Sequence, residues 1–536
     1  MSFTFAEAFF LGLVYFFSWT ETLWGPFHMY DIWQSPLTEG FIIGLFYGDP
    51  TTALMVSGSV FLLYIGSISV GANLPSDRSL ATVISVPFAL KLGLSAQEAI
   101  VIAVPFGILG AFLNNARRVF GRVWTNMAAK HIDAGQYSKL TWDCVILPEI
   151  ATFIYRALPV TFLLYLFGEA AGTAVANLPA NVSTAFQVVG EMLPAVGLMM
   201  CVNYIGGIQL LPFFAIGFFC FKTLGMPSLL CFIIGLSLAV IYVTLFYKDE
   251  DDDDDTEIED HSTNKMFTKK DISNLNWRWL MWSRMSQSMD TFYGLGCMYA
   301  MYPFLAKVYK DDEKTLKESL HRHMDAFITN HFWGSWLLPA SLAIEEDIAI
   351  NGDETGEKAQ AIRSMKSSLM GPFAGIGDTI DPFTIGAIYK GVMCSWAIES
   401  GTPLCLIGGV LMGIYQTIVS EIWCQFGYRA GKDTIINLIY STKFKKILNA
   451  ASIIGVFMMG ALCAQNVTPK IAYTYQSAEG VVVSVAAKMD SLLPGLIPLL
   501  TCGLTYLGIK KGKKATTIMI YIVVIGFVCG ILGILS

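Results

Sequence analysis

The sequence predicts an all-α polytopic membrane protein of two membrane domains with re-entrant hairpins, on three observations. Hydrophobic residues make up 54% of the chain and charged ones only 14%, against roughly 25% charged in ordinary soluble domains, so much of the surface must face lipid. A run of ten Asp and Glu between Asp249 and Asp260 divides the 536 residues into halves, each with its own apolar segments. Each half also carries a Gly-Asp pair inside a long apolar stretch: Gly48 and Asp49 in FIIGLFYGDPTTALMVSGS, Gly377 and Asp378 in LMGPFAGIGDTIDPFTIGA. Carboxylates in a bilayer are costly, and non-helical backbone survives at that depth only where it is buried in protein or lines a wet cavity. Interrupted segments in both halves therefore point to the substrate site of a transporter.

In the first domain, 1–248, apolar segments run over 3–20, the interrupted region 39–65, 80–93, 99–115, 145–168, 186–205, 209–222 and 227–247. Several fall short of the ~20 residues a full crossing needs, which argues for re-entrant hairpins beside complete spans. The linker, 249–265, holds most of the negative charge behind the net −7; like charges repel, and it reads as a solvated cytoplasmic tether. The acidity belongs to that tether, and no nucleic-acid partner is expected. The second domain, 266–536, opens with the Trp-rich amphipathic string NWRWLMWSRM, suited to a helix lying in the interface. A polar helix KVYKDDEKTLKESLHRHMDAF follows, then apolar segments at 331–345, the interrupted 369–395, 402–424, 449–465, 491–508 and 515–535.

Lys and Arg in short loops set the orientation. Arg117, Arg118, Arg122 and Lys130, then Lys443, Lys445 and Lys446, then Lys510, Lys511, Lys513 and Lys514 are the basic clusters. All are expected inside the cell. Counting crossings from them leaves the tether inside and the C-terminus outside, so the halves run in opposite senses, with inverted pseudo-symmetry. The opening string MSFTFAEAFFLGLVYFFSW lacks a basic start and a small-residue cleavage site, and reads as a retained first membrane segment.

Eleven Cys stand singly in apolar runs without a Cys/His cluster at metal spacing, so neither a metal nor a cofactor is expected. Around Asp49, the residues Ser59, Ser67, Ser69, Asn73 and Asp77 set hydroxyls, an amide and a carboxylate among Gly, Leu and Val. Such groups suit a polyol, whose hydroxyls both donate and accept. Asp77 equally suits a cap on a helix starting at Arg78. Gly371, Gly375 and Gly377 lack the Lys-Ser/Thr of a phosphate loop, and serve helix packing or close approach to a ligand. Asp378 and Asp381 either meet a substrate hydroxyl or cation, or act as a cap and a solvated turn residue. His321 and His323 read as solvated helix positions, and Glu345, Glu346 and Asp347 as the emergence of an apolar segment into water. No catalytic nucleophile arrangement is evident.

Several strings resemble a known family. GFIIGLFYGDPTTALMVSGS, GANLPSD and LLPFFAIGF resemble the IIC component of the mannose-family sugar phosphotransferase system (PTS). RHMDAFITNHF, SLAIEED, SSLMGPFAGIGD, ASIIGVFMMGALC and LLPGLIPLL resemble its IID component. The resemblance covers nearly all of both halves and implies that the tether fuses two components usually found as separate chains. It implies a trimer in a bacterial cell membrane, an elevator motion, and a separate IIB protein, phosphorylated by IIA, that phosphorylates the incoming sugar. Neither a IIA nor a IIB domain is recognisable here, so this chain would be the translocating part without a phosphoryl-carrying residue.

The same resemblance marks the sugar site. Asp49 and Asn73 match the family's pattern. Phe61 stands where an acid or amide is expected in the IIC string GGTxE/Q, Ser288, Asp290, Thr291, Phe292 and Tyr293 replace the IID string NxERMQ, and GDTIDPF stands for GDxIFW. The substrate-binding set is then Asp49, Ser59, Phe61, Asn73, Asp77, Ser288, Asp290, Tyr293, Asp378 and Asp381, rewritten enough that plain mannose or glucose is not the expected substrate. Two alternatives stand beside this reading: a sugar transporter uncoupled from phosphorylation, and a receptor that binds without transport.

Overall fold

The structure, a computed structural model, describes residues 2–19, 30–65, 76–176, 179–205, 208–246, 266–288, 290–440, 442–476, 482–513 and 515–535. The acidic run, Ser67, Ser69 and Asn73 lie outside the described residues.

The first half contains α1 (Phe5–Phe17), α2 (Tyr30–Trp33), α3 (Pro36–Tyr47), α4 (Pro50–Leu63), α5 (Arg78–Leu92), α6 (Ala96–Asp133), α7 (Leu147–Ala176), α8 (Ala180–Met192), α9 (Pro194–Ile205), α10 (Leu211–Leu224) and α11 (Ser228–Phe246). Their starts are written locally. Thr4 with Glu7 and Ser95 with Glu98 form capping boxes at α1 and α6, while Asp49 and Asp77 cap α4 and α5. The segment 39–65 is a tight helical hairpin: Gly48, at φ +81°, ends α3, and α4 begins two residues later. The hairpin closes because Gly40 and Gly44 face Ser57, Ala53 and Pro50 so closely that any Cβ would collide. Segment 99–115 proves to be part of a 38-residue helix, α6, about 57 Å long at 1.5 Å per residue.

The second half contains α12 (Lys269–Trp282), α13 (Gly294–Val308), α14 (Glu313–His323), α15 (Leu337–Asn351), α16 (Glu357–Asp378), α17 (Gly386–Ser400), α18 (Ile407–Tyr440), α19 (Thr442–Asn466), α20 (Val485–Leu492), α21 (Leu496–Lys510) and α22 (Ala515–Ile531). A two-stranded antiparallel ribbon, β1 (Thr474–Gln476) and β2 (Val482–Ser484), pairs Tyr475 with Val483. Among the described residues three stretches, Tyr137–Ala170, Thr184–Asn203 and Pro403–Arg429, are long and apolar enough to cross a bilayer; Val485–Leu492 and Leu496–Lys510, bent by 75°, pass the same test together.

Four expectations are corrected. The region 369–395 is not broken: α16 passes into a π-helical turn, Thr379–Ile385, and on into α17. The wider turn admits Pro382, which has no N–H for an α-helical bond. The polar string 307–327 is not one helix, because α13 ends at Val308 and Asp312 caps a separate α14. Helix α15 starts only at Leu337, the preceding residues forming irregular turns. Glu345 and Glu346 are buried rather than emerging into water, and so are Arg322 and His323. Glu345 accepts from Arg322 Nε (3.0 Å) and Nη2 (2.8 Å) and from Tyr309 Oη (2.6 Å), and its Oε1 lies 2.9 Å from His323 Nε2. Burial pushes the His323 imidazole down to about 4, so it is neutral at pH 7.

The hydrophobic cores do not follow the sequence halves. One lies within the first half, and one combines the second half's α12–α16 with residues 128–145. The other two are shared. Helices α10 and α11 pack on α19, with Gly217 and Gly235 against Phe457, and α8 packs on α22, with Gly530 against Ala185.

Candidate functional site

The helices that follow the two Gly-Asp pairs, α4 and α17, pack directly on one another. Thr51 at the start of α4 lies against Gly401 just past the end of α17, and a Cβ on Gly58 would stand 3.1 Å from the Cys394 carbonyl oxygen. Phe61, near the end of α4, shares a cleft with Tyr389 and Lys390 near the start of α17. The two helices therefore run antiparallel, and their seam joins the halves. Ser35, Thr38 and Met393 complete the working part of the cleft wall. Phe61 and Lys390 are buried, and Arg78 stands 5.3 Å from the centre of the Phe61 ring. The cleft is narrow in this structure, about 10 Å³, and brings together hydroxyls, a phenol, an ammonium and an aromatic face.

Asp378 and Asp381 lie at the π-helical turn. Asn330 Nδ2 donates to Asp378 Oδ1 (3.0 Å), and Trp333 Nε1 donates to Asp381 Oδ1 (3.0 Å). Asn330 is itself fixed, its Oδ1 accepting from the backbone N–H groups of Phe332 (3.1 Å) and Trp333 (3.0 Å). The link to the cleft is Gly386: a Cβ there would stand 2.7 Å from the Asp381 carbonyl oxygen and 3.5 Å from Lys390 Nζ. Lacking that Cβ, the turn leaves the ammonium room beside the carboxylate-bearing segment.

The other sequence-selected residues divide. Asp49 is exposed at the hairpin tip, where its carboxylate accepts from Thr52 N (3.0 Å) and acts as a cap. Ser59 donates to its own helix at Met55 O (3.0 Å). Asp77 is a cap, accepting from Ser79 N (3.0 Å) and Leu80 N (3.1 Å), and also the centre of a buried charge cluster. Tyr15 Oη donates to its Oδ2 (2.8 Å), and the fully buried Arg156 approaches the same oxygen at 3.5 Å while stacking 3.7 Å from the centre of the Tyr15 ring. Ser288 is a turn residue whose hydroxyl accepts from Thr291 N (3.0 Å). Phe292, four residues on, has φ +51°, a strained value for a residue with a Cβ. Tyr293 stands just before α13, without a side-chain capping bond, in an aromatic cluster with Trp279, Phe292 and His331. Asp290 is exposed and paired with Arg122 at 3.2 Å.

That last pair belongs to a second contact between the halves. Arg117 Nη2 donates to the Arg284 carbonyl (2.5 Å) and the Met285 carbonyl (3.4 Å), and Gly121 abuts the Gln287 carbonyl. The long α6 thus holds residues 284–288 and Asp290, just ahead of Tyr293. Sequence reasoning missed Lys390, Arg156, Asn330 and Trp333. The first two carried a signal, a lone cation within IGAIYKGVMCSWA and within ATFIYRALPV, and a charge in an apolar run demands a partner or a function.

Residues 5–241 match the family described as the PTS system sorbose-specific IIC component, and residues 266–535 match the PTS system mannose/fructose/sorbose family IID component. The mannose-specific EIID component of Escherichia coli K12 is 29% identical over 51% of this chain and 97% of its own length. The fructose permease IID component of Bacillus subtilis is 30% identical over 50% of this chain and 96% of its own. The E. coli K12 mannose-specific EIIC component is 25% identical over 39% and 79%. A solved structure of a mannose transporter ManYZ with microcin E492 is 28% identical over 51% of this chain and all of its own, at a TM-score of 0.29. With one component matched on each side of the acidic run, the chain is a member of the mannose/fructose/sorbose family of PTS permeases in which IIC and IID are joined in one polypeptide.

Proposed function

We propose that the chain is the translocating part of a sugar phosphotransferase, importing a sugar other than plain mannose or glucose while a separate phosphorylated IIB protein, charged by IIA, phosphorylates it at the cytoplasmic face. The observation that carries this reading is the antiparallel seam of α4 and α17, where Phe61 and Lys390 share one cleft and Asp381 lies one helical step away. Antiparallel pairing of the two helices that follow the Gly-Asp motifs supports an inverted relation between the halves. An inverted pair sharing a central site suits an elevator motion in a trimer, with tether inside and C-terminus outside.

Within this reading Phe61, Lys390, Asp378 and Asp381 meet substrate, Asn73, Ser288, Asp290 and Tyr293 are assigned to binding by the family resemblance alone, and Asp49 and Asp77 hold the scaffold. An aromatic ring where a polar group would bind hydroxyls forfeits hydrogen bonds worth about 1–3 kcal/mol each when buried, and offers stacking on an apolar sugar face in return. Lys390 adds a buried cation to the same cleft, favouring a sugar bearing a carboxylate or another strong acceptor.

Uptake of a labelled panel of neutral, amino and acidic sugars into vesicles bearing this chain tests the reading, with and without phosphoenolpyruvate and the soluble carriers. Sugar phosphate is expected to accumulate only with the full cascade, and best for a substrate other than mannose or glucose. Free sugar entering without the cascade would replace the reading by an uncoupled transporter, and binding without flux by a receptor.

A further inference from the structure

A second cleft lies away from the seam, between the C-terminal end of α14 and the first half of α16. It holds about 250 Å³ and opens to solvent, a little below the usual range of drug-sized sites, and Arg322, Asp325, Arg363, Ser364, Lys366 and Ser367 line it. Three cations thus face one carboxylate. Two of them have acidic partners: Arg322 is bound to Glu345, and Arg363 Nε lies 3.0 Å from Asp325 Oδ2. Lys366 does not. It is 4% exposed, its Nζ lies 3.9 Å from Cys297 Sγ and 5.0 Å from the centre of the Phe327 ring, and among the described residues no carboxylate comes within ion-pair distance. A buried ammonium without a counter-charge is costly unless an anion completes the site.

The position of the cleft narrows the class of anion. His321, beside Arg322, lies 2.8 Å from Asp133 at the end of α6, whose basic residues belong inside the cell by the orientation proposed above. On the other flank Glu346 accepts from Tyr428 Oη (2.6 Å), and Tyr428 Oη in turn accepts from the backbone N–H of Phe267, close behind the tether (3.1 Å). Both neighbours place the cleft on the cytoplasmic side. Its wall at Ala326 also adjoins the rewritten IID string, because the next residue, Phe327, donates from N to Thr291 O (3.0 Å) and accepts at O from Tyr293 N (3.1 Å).

We infer that this cleft binds a phosphate monoester of a small polyol, the chemical class of the product that the proposed function releases into the cytoplasm. Lys366 and Arg363 neutralise the phosphoryl oxygens, the Ser364 and Ser367 hydroxyls donate to them, and the remaining volume takes the polyol. Charge-assisted hydrogen bonds to phosphoryl oxygens are the strong kind, and lysine and arginine are the residues that make them. The inference rests on the transport reading for its sidedness and product class, not for the cleft itself.

The test is binding to the purified full chain in detergent, without phosphoenolpyruvate or carrier proteins, so its result is separate from any transport result. Inorganic phosphate, a hexose 6-phosphate and the free hexose are titrated against sodium chloride of matched ionic strength, with affinity and Tm as readouts. The hexose phosphate is expected to raise Tm and to bind at least tenfold more tightly than the free hexose. Lys366→Met and Ser364→Glu should each weaken it at least tenfold. Ser364 is exposed, so its substitution adds repulsion without disturbing packing and keeps the test valid should Lys366→Met fail to fold. No shift beyond chloride, equal binding by Ser364→Glu, or binding of inorganic phosphate alone would overturn the inference.

Discussion

The two Gly-Asp pairs are the same dipeptide in comparable surroundings, yet the fold uses them in opposite ways. Gly48 takes φ +81° and ends a helix, and Asp49 opens the next from an exposed tip. Gly377 lies inside α16, with Asn330 where a Cβ would be, and Asp378 passes without a break into a π-helical turn. In the first pair the glycine provides a conformation and the aspartate a cap. In the second the glycine provides proximity and the aspartate an acceptor for a neighbouring segment. Asp77 completes the comparison: a cap like Asp49, but buried and held by Tyr15 and Arg156. The position of the carboxylate relative to solvent, more than the motif around it, decides how much depends on it.

The sharpest way to break that comparison is to remove the counter-charge behind Asp77. Arg156 and Asp77 are 0% and 3% exposed, so Arg156→Ala leaves a buried carboxylate uncompensated and should destabilise the chain by about 3–5 kcal/mol. The measurement is thermal or denaturant unfolding of purified protein, with the Arg156→Leu/Asp77→Asn double variant recovering most of the loss. A change below about 1 kcal/mol would mean that the cluster is hydrated and that Asp77 is no more than a second Asp49.

These residues also mark what could be read from the sequence and what could not. Helix existence, the hairpin at 39–65 and the cap at Asp77 were legible because caps, glycine positions and apolar runs are local signals. The continuity of 369–395 was not, because a π-helical turn carries the same Gly, Asp and Pro as a break and is decided by packing against Asn330 and Trp333. Burial of Arg322, His323 and Glu345 was illegible for a related reason: each belongs to a polar string, and only the fold brings them together. The candidate site was half legible. Asp378 and Asp381 were found from the Gly-Asp string itself and Phe61 through the resemblance, whereas Lys390 needed the seam to show that it faces Phe61.

A smaller effect is expected at the second Gly-Asp pair, and it separates structure from transport. Asp378→Ala leaves the Asn330 amide without its acceptor, which should cost about 1–3 kcal/mol and lower uptake at least tenfold. Asp378→Asn keeps an acceptor oxygen, so it should recover most of the stability while uptake stays depressed. Were Asp378→Asn to restore both, the carboxylate would be scaffold only, and the site would contract to Phe61, Lys390 and Asp381.

The smallest effects belong to the hairpin tip, where the comparison makes its least intuitive claim. A carboxylate beside a glycine in an apolar stretch suggests a ligand, yet this one bonds Thr52 N and is otherwise open to its surroundings. Asp49→Ala should then cost about 1 kcal/mol, the usual price of a lost cap, and Asp49→Ser only a few tenths because serine caps nearly as well. Gly48→Ala should cost about 1–2 kcal/mol through its left-handed backbone, with nothing nearby to collide with the added methyl. Uptake by Asp49→Ser should stay within twofold of the parent, since the cap survives and only the charge is gone. A large loss of uptake by Asp49→Ser at unchanged stability would show that the charge itself is needed, and the two Gly-Asp pairs would then be equivalent in function despite their different backbones.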